Sequence, residues 1–121
     1  MLQVEQYNNT YRLTFQGTHK FNVYNAKEVE NELMEYVKKP SARVTLNLNG
    51  VDFIDSSAFE SLLRVLRNAK INNTEFQLAN ISKEAMELIK LMQASDPDQN
   101  TALLLNSGPY VALLRRMLNH A

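Results

Sequence analysis

Apolar residues recur with two different periods along the chain, and the change from one period to the other marks its most informative point. Residues 43–48 alternate between polar and apolar side chains, which predicts a strand. After Asp55 the apolar residues recur at every third or fourth position, which predicts a helix. The side chains expected to face the core from this helix are Phe59, Leu62, Leu63, Leu66 and Ala69. Residues 54–58 therefore lie at a turn from a strand into a helix.

The first third of the chain predicts a hairpin followed by a helix. Residues 2–4 and 11–15 alternate in polarity, and turn-forming residues 7–10 lie between them, which is typical of two antiparallel strands. Asn25 is expected to cap the next helix, with Glu28 three residues later as in a capping box. The apolar face of this helix ends just before a proline, which cannot continue it.

The rest of the chain continues the alternation of strands and helices. Residues 75–79 predict a strand, and Ser82 is expected to cap a third helix. Residues 96–100 predict a loop, residues 101–105 a short edge strand, and Pro109 fits the first turn of a final helix. We therefore expect one α/β domain over all 121 residues, with helices packed against a central mixed sheet.

Composition excludes several classes of function. Thirteen Lys and Arg residues balance thirteen Asp and Glu residues, so no global field attracts nucleic acid or an anionic membrane. The absence of cysteine excludes disulfides and thiolate chemistry. The N-terminal residues lack the features of a signal peptide, and no apolar run approaches the roughly 20 residues of a membrane helix. We expect a cytoplasmic protein that binds another protein and neither binds nucleic acid nor inserts into a membrane.

The Asp-Ser-Ser turn is suited to carrying a phosphate. Asp55 is expected to be the N-cap, which places Ser56 and Ser57 in the first turn, where free backbone N–H groups and the helix dipole favour negative charge. At about 100° per residue, Ser57 points about 180° away from the core, whereas Ser56 lies roughly 80° from it, at the border of the core. We expect a kinase to reach Ser57 and Ser56 to support the turn.

The solvent face of the same helix predicts a docking surface. Its expected members are Ser57, Ala58, Glu60, Ser61, Arg64 and Asn68. A phosphate adds about −1.5 to −2 charges, which a helix N-terminus tolerates but a partner packed against it does not. This arrangement favours a switch of association. The alternative is that Asp-Ser-Ser serves only as a helix cap, since these residues are preferred at any helix start.

Residues 44–63 resemble the core motif of the STAS family, the anti-sigma-factor antagonists. In that family, a strand with valine and alternate leucines is followed by six successive positions that open a helix. These positions carry phenylalanine, then isoleucine or methionine, then aspartate, then serine, then serine or threonine, and finally glycine. The matching residues here run from Phe53 to Ala58 and read Phe-Ile-Asp-Ser-Ser-Ala. Residues 13–17 resemble the family's second strand and its glycine, and residues 76–82 resemble the strand that leads into its third helix.

The resemblance implies a fold and a function. The fold is a STAS domain over residues 1–121, with a mixed four- to five-stranded sheet and about four helices mainly on one face. Ser57 would be the phosphorylated residue, Asp55 the capping carboxylate and Ser56 a support for the turn. The unphosphorylated protein would bind an anti-sigma factor that is also a serine kinase, and a PP2C-type phosphatase would reset it.

Three departures from the family pattern leave a second function open. Ala58 stands where glycine is usual. Glu60 stands where a small residue is common, and it would repel a phosphate on Ser57. Residues 18–20 lack the acidic residue that many antagonists carry there. The alternative is a STAS interaction subunit of a lipid-transport ABC complex, which docks through the same turn without phosphorylation.

Catalysis and metal binding find little support in the sequence. Residues 96–100 imitate the start of a calcium loop, but Thr101 and Ser107 replace the glycine and glutamate that such a loop needs. His19 and His120 have no carboxylate and nucleophile close by in sequence. A glycine-rich phosphate loop is absent as well. We expect neither enzyme activity nor a cofactor or metal.

Overall fold

Two sheets and three helices organise residues 1–93, the part of the chain that the computed structural model describes. The elements are β1 (Leu2–Tyr7), β2 (Thr10–Phe15), β3 (Lys20–Phe21), α1 (Ala26–Val37), β4 (Arg43–Asn47), β5 (Phe53–Ile54), α2 (Ser56–Ile71), β6 (Glu75–Ala79) and α3 (Lys83–Met92). The predicted loop at 96–100, edge strand at 101–105 and helix at Pro109 lie outside the described residues. The predicted α/β class and mixed sheet are confirmed.

Four strands form the main sheet in the order β1, β2, β4, β6. Strands β1 and β2 are antiparallel through the predicted hairpin, whereas β4 lies parallel to both β2 and β6. The register aligns Leu13 with Leu46, and Leu46 with Leu78. All three side chains are buried. The alternating apolar positions of separate segments therefore form one continuous apolar face.

Helices α1 and α2 cover this apolar face. Helix α1 contacts β4, α2 contacts β6, and the two helices pack along each other. Val29 and Leu33 of α1 and Leu62 of α2 are buried in the resulting core. The opposite face of the sheet carries polar side chains such as the neighbouring Arg12 and Thr45. The sequence period thus separates a core face from a polar face in each strand.

The sequence pattern does not predict the second sheet, in which β3 and β5 pair in parallel. Each of these strands has two residues, which is too short for an alternation to be visible. Phe21 and Ile54 are nevertheless buried at this pairing. His19 Nδ1 lies 3.0 Å from Asp52 Oδ1, a carboxylate 33 positions away in sequence. The small sheet brings the loop before α1 to the turn that opens α2.

Ser82 caps α3 as predicted, because its Oγ accepts a hydrogen bond from the Ala85 N–H at 3.1 Å. Asn25 occupies the N-cap position of α1, but the predicted capping box is wrong. Its Oδ1 accepts a hydrogen bond from the Asn22 N–H at 2.9 Å, and its Nδ2 donates to the Lys20 carbonyl at 2.8 Å. The Asn25 amide therefore stabilises the loop before α1.

Candidate functional site

The side chain of Asp55 fixes the turn between β5 and α2. Its Oδ1 accepts a hydrogen bond from the Ala58 N–H at 2.9 Å, which caps α2 as predicted. Its Oδ2 accepts a hydrogen bond from the Val23 N–H at 2.8 Å. The Asp55 N–H donates to the Phe21 carbonyl at 3.2 Å. Asp55 therefore fastens the turn to the loop between β3 and α1, a role that its sequence neighbours do not reveal.

The two serines of the turn are exposed differently from the sequence prediction. Ser56 is exposed and Ser57 is half-buried. The prediction of full exposure for Ser57 is wrong, as is the prediction that Ser56 lies at the border of the core. A helical wheel assumes that α2 is buried against the sheet alone, whereas α2 also packs along α1. Packing on two sides widens the buried arc of a helix and extends it toward Ser57.

Ser57 lies in a surface groove of about 210 Å³ between the first turns of α1 and α2. The groove is lined by Val23, Ala26, Lys27, Ser57, Glu60, Ser61 and Arg64. Lys27 shares it with the first turn of α2, and Glu30, one turn later in α1, bonds to Arg64. The two helices therefore run in the same direction. The positive ends of both helix dipoles lie at the groove.

An ion pair between a buried glutamate and an exposed arginine joins the two helices beside the groove. Arg64 donates to Glu30 Oε1 from Nη2 at 2.8 Å and from Nε at 3.1 Å. The same Nη2 donates to Ser61 Oγ at 3.0 Å. Burial alone would raise the pKa of Glu30, but the hydrogen bonds of Arg64 and Ser61 and the charges of Arg64 and Lys27 outweigh it. The pKa of Glu30 therefore lies below its usual value, and the hydrogen bonds to Glu30 raise the pKa of Arg64.

The predicted docking residues of α2 divide into accessible and buried ones. Glu60 and Arg64 are exposed, and Asn68 is half-buried. Ala58 and Ser61 are 0% and 2% exposed, so their predicted position on the solvent face is wrong. The Ser61 hydroxyl faces α1, where it meets the ion pair. A partner approaching this helix would meet its long charged side chains and the groove, while the small residues stay covered.

Val23 and Tyr24 form an exposed apolar pair beside the groove. Their exposed fractions are 58% and 93%. The hydrogen bond from the Val23 N–H to Asp55 holds this pair next to Ser57. The sequence signal for them is weak: two adjacent apolar residues that precede the helix cap and fit neither the strand nor the helix period. Val23 lines the groove and Tyr24 is its neighbour in the chain, and exposed aromatic side chains are frequent in protein-docking surfaces.

The part of the chain with described coordinates contains no cluster of three or more His, Asp or Glu side chains that could hold a metal ion. None of the helices within residues 1–93 combines the length and apolar character needed to cross a membrane. The calcium-like loop at 96–100 and His120 lie outside these residues. The groove offers hydroxyl groups and charged side chains, which suit recognition and modification.

Comparison with known proteins relates the chain to one family. The family model described as the STAS domain matches residues 1–101. The fold is similar to that of an anti-sigma-factor antagonist (STAS) domain protein from Planctomyces limnophilus, with 17% identity, a TM-score of 0.68, and coverage of 78% of this chain and 84% of that chain. A putative anti-sigma factor antagonist from Thermotoga maritima matches with 16% identity, a TM-score of 0.62, and coverage of 79% and 81%. The anti-sigma factor antagonist SpoIIAA in its unphosphorylated form matches with 15% identity, a TM-score of 0.58, and coverage of 75% and 83%.

Replacing Asp55 tests whether one carboxylate fixes both the turn and the loop. We expect Asp55→Ala to lower the free energy of unfolding by about 1–3 kcal/mol, because it removes the cap of α2 and the acceptor for the Val23 N–H. The NMR amide signals of Val23 and Ala58 should shift together. The control Ser56→Ala, in the same turn, should change stability by less than about 0.5 kcal/mol. An unchanged Val23 amide in Asp55→Ala would contradict the shared hydrogen bonding.

The Arg64–Glu30 ion pair should make the free energy of unfolding depend on pH. Because the pKa of Glu30 is lowered in the folded state, its stabilisation is complete above the unfolded pKa of about 4.3 and is lost as the pH falls through the folded pKa. At neutral pH we expect Glu30→Gln to cost about 1–3 kcal/mol, less than for a fully buried pair because the Arg64 side chain is 46% exposed. Urea unfolding between about pH 3 and 7 should show this difference shrinking below about pH 4.

The matched control for this experiment is Glu28→Gln, an exposed position on the same helix. It should differ from the wild type by less than about 0.5 kcal/mol at neutral pH. If the stability difference between Glu30→Gln and the wild type stays constant down to the lowest pH, the assigned pairing of Glu30 with Arg64 is contradicted.

Proposed function

This chain belongs to the STAS domain family, and on that premise we propose that it acts as an anti-sigma-factor antagonist in a partner-switching pathway. It binds an anti-sigma factor with serine-kinase activity while Ser57 is unphosphorylated. Phosphorylation of Ser57 releases it, and a PP2C-type phosphatase resets it. The protein acts in the cytoplasm by binding, without catalysis of its own.

The position of Ser57 is the observation that carries this proposal. Ser57 lies in the first turn of α2, lines a surface groove, and follows a turn that Asp55 holds in place. Transfer of the γ-phosphoryl group of ATP to Ser57 Oγ forms an O–P bond and releases ADP, while the hydroxyl proton passes to a base of the kinase. Because Ser57 is half-buried, the kinase reaches it from the groove side and must contact the rim.

A phosphate would change the charge balance of the groove. Lys27 and Arg64 contribute two positive charges. Glu60 in the groove and Glu30 beside it contribute two negative charges. The phosphate adds about −1.5 to −2 charges to this neutral set. Burying that charge under a partner costs several kcal/mol, and each 1.4 kcal/mol is about a tenfold loss of affinity, so the partner dissociates.

The exposed pair Val23 and Tyr24 supports a protein partner at the same place. Tyrosine is frequent among the residues that dominate binding energy in protein interfaces, where its ring is buried by the partner and its hydroxyl remains polar. Asp55 links this pair to the turn that carries Ser57. In the proposed complex the partner covers Tyr24 and the groove together, so a change at Ser57 acts inside the interface.

One observation favours the alternative function, a STAS interaction subunit of a lipid-transport ABC complex that docks without phosphorylation. Glu60 lines the same groove as Ser57, and its negative charge opposes a phosphate there. On this alternative the groove and its rim are a permanent docking surface. Modification of Ser57 separates the two functions, because the alternative has no use for it.

Two aspartate substitutions in one turn test the proposed switch. We expect Ser57→Asp to weaken binding to the host anti-sigma factor at least about 100-fold, because the added charge lies within the interface. Ser56→Asp puts the same charge at the neighbouring, exposed position and should cost less than about tenfold. Calorimetric titration measures both affinities, and incubation with ATP and the host anti-sigma factor should label the wild type but not Ser57→Ala. Equal effects of the two aspartates, or full binding by Ser57→Asp, would contradict the switch.

A second substitution tests the docking pair. We expect Tyr24→Ala to weaken binding of the unphosphorylated protein about 10–100-fold, because it removes the most exposed aromatic ring beside the groove. The control is Tyr7→Ala, which removes a ring that is 79% exposed near the first residue of β4, at the other end of the main sheet. It should change the Kd less than about twofold. Losses of equal size in the two variants would refute the assigned docking surface.

A further inference from the structure

Two cations border the groove of Ser57, and they are held in different ways. Arg64 makes hydrogen bonds of 2.8 and 3.1 Å to Glu30 Oε1 and one of 3.0 Å to Ser61 Oγ. Lys27 Nζ lies 4.0 Å from Glu30 Oε2, which is longer than a hydrogen bond. The Lys27 side chain is 78% exposed. Arg64 is therefore fixed in place, whereas Lys27 can reorient.

Moving Arg64 away from Glu30 would be unfavourable. The Glu30 side chain is 7% exposed, and it would keep a buried charge without its strongest hydrogen-bond donor. Moving Lys27 removes one long contact and leaves the Arg64–Glu30 pair intact. A lysine also has a flexible four-carbon stem and a compact charge, which can follow a phosphate without a fixed geometry.

Within residues 1–93, the two cations that border the groove of Ser57 both lie near Glu30, so a phosphate meets no unpaired cation there at rest. Helix α1 contributes Lys27 and Glu30, and α2 contributes Glu60 and Arg64. Asp55 adds a further negative charge at the turn, where it accepts two backbone hydrogen bonds. A phosphate at Ser57 therefore has to draw a cation from its present position.

We propose that Lys27 is the counter-ion that receives the phosphate on Ser57, while Arg64 stays on Glu30. This inference rests on the proposed phosphorylation of Ser57 and specifies how the domain accommodates it. Pairing draws the Lys27 side chain across the groove, so the phosphate and its counter-ion together close the surface that the partner occupies. Lys27 then holds the phosphate in the released state, and the fold is unchanged.

The test uses protein in which phosphoserine is inserted at position 57 during translation, so it needs no kinase. The second pKa of phosphoserine, ordinarily about 6, is read by ³¹P NMR titration at low salt. A nearby cation favours the dianion and lowers this pKa, so Lys27→Gln should raise it by about 0.5 or more. Lys38→Gln, at the other end of the same helix, should leave it unchanged, and Lys27→Arg should keep it low. Removing the negative charge of Glu60 with Glu60→Gln should lower the phosphoserine pKa.

Equal pKa values in Lys27→Gln and Lys38→Gln would overturn the assignment of Lys27. That result is distinguishable from failure of the proposed function. If the partner kinase labels Ser57 but Lys27→Gln does not change the phosphoserine pKa, the proposed switch holds and Lys27 is not its counter-ion. If the phosphoserine pKa responds to Lys27 but no kinase labels Ser57, the groove accepts a phosphate that the proposed pathway does not supply.

Discussion

The two hydrogen bonds that the Asp55 carboxylate accepts are the interaction on which the rest of the site depends. One oxygen holds the Ala58 N–H at the start of α2, and the other holds the Val23 N–H before α1. Because one side chain serves both segments, the first turns of the two helices are kept side by side. The groove, the exposed Tyr24 and the position of Ser57 all follow from that arrangement.

Elements with a clear period could be predicted from the sequence, because the apolar residues of their buried face recur at the spacing of a strand or a helix. The hairpin, the strand at 43–48 and the helix after Asp55 belong to this group. The paired two-residue strands β3 and β5 could not be predicted, since their only support is a contact between distant segments. The cap at Asp55 was visible locally, but its bond to Val23 was not.

The predicted exposure of the α2 side chains was wrong for a related reason. A helical wheel assigns one buried direction, and α2 has two, against the sheet and against α1. Ser57 is therefore less exposed than predicted, and Ser61 is buried. Ser56, the first residue of α2, is more exposed than predicted. The pairing of Arg64 with Glu30, 34 positions apart, depends on the same packing. That pairing stabilises the fold and also leaves Lys27 as the mobile cation of the groove.

The central claim is that Ser57, presented by the Asp55 turn, carries the modification that controls docking. Intact-mass measurement and peptide mapping of the protein isolated from its host, with and without phosphatase treatment, test it most directly. The account predicts a fraction that carries one phosphate on Ser57 and loses it on treatment. Protein that is unmodified under every growth condition while it is bound to a partner, or a phosphate on Ser56 instead, would contradict it.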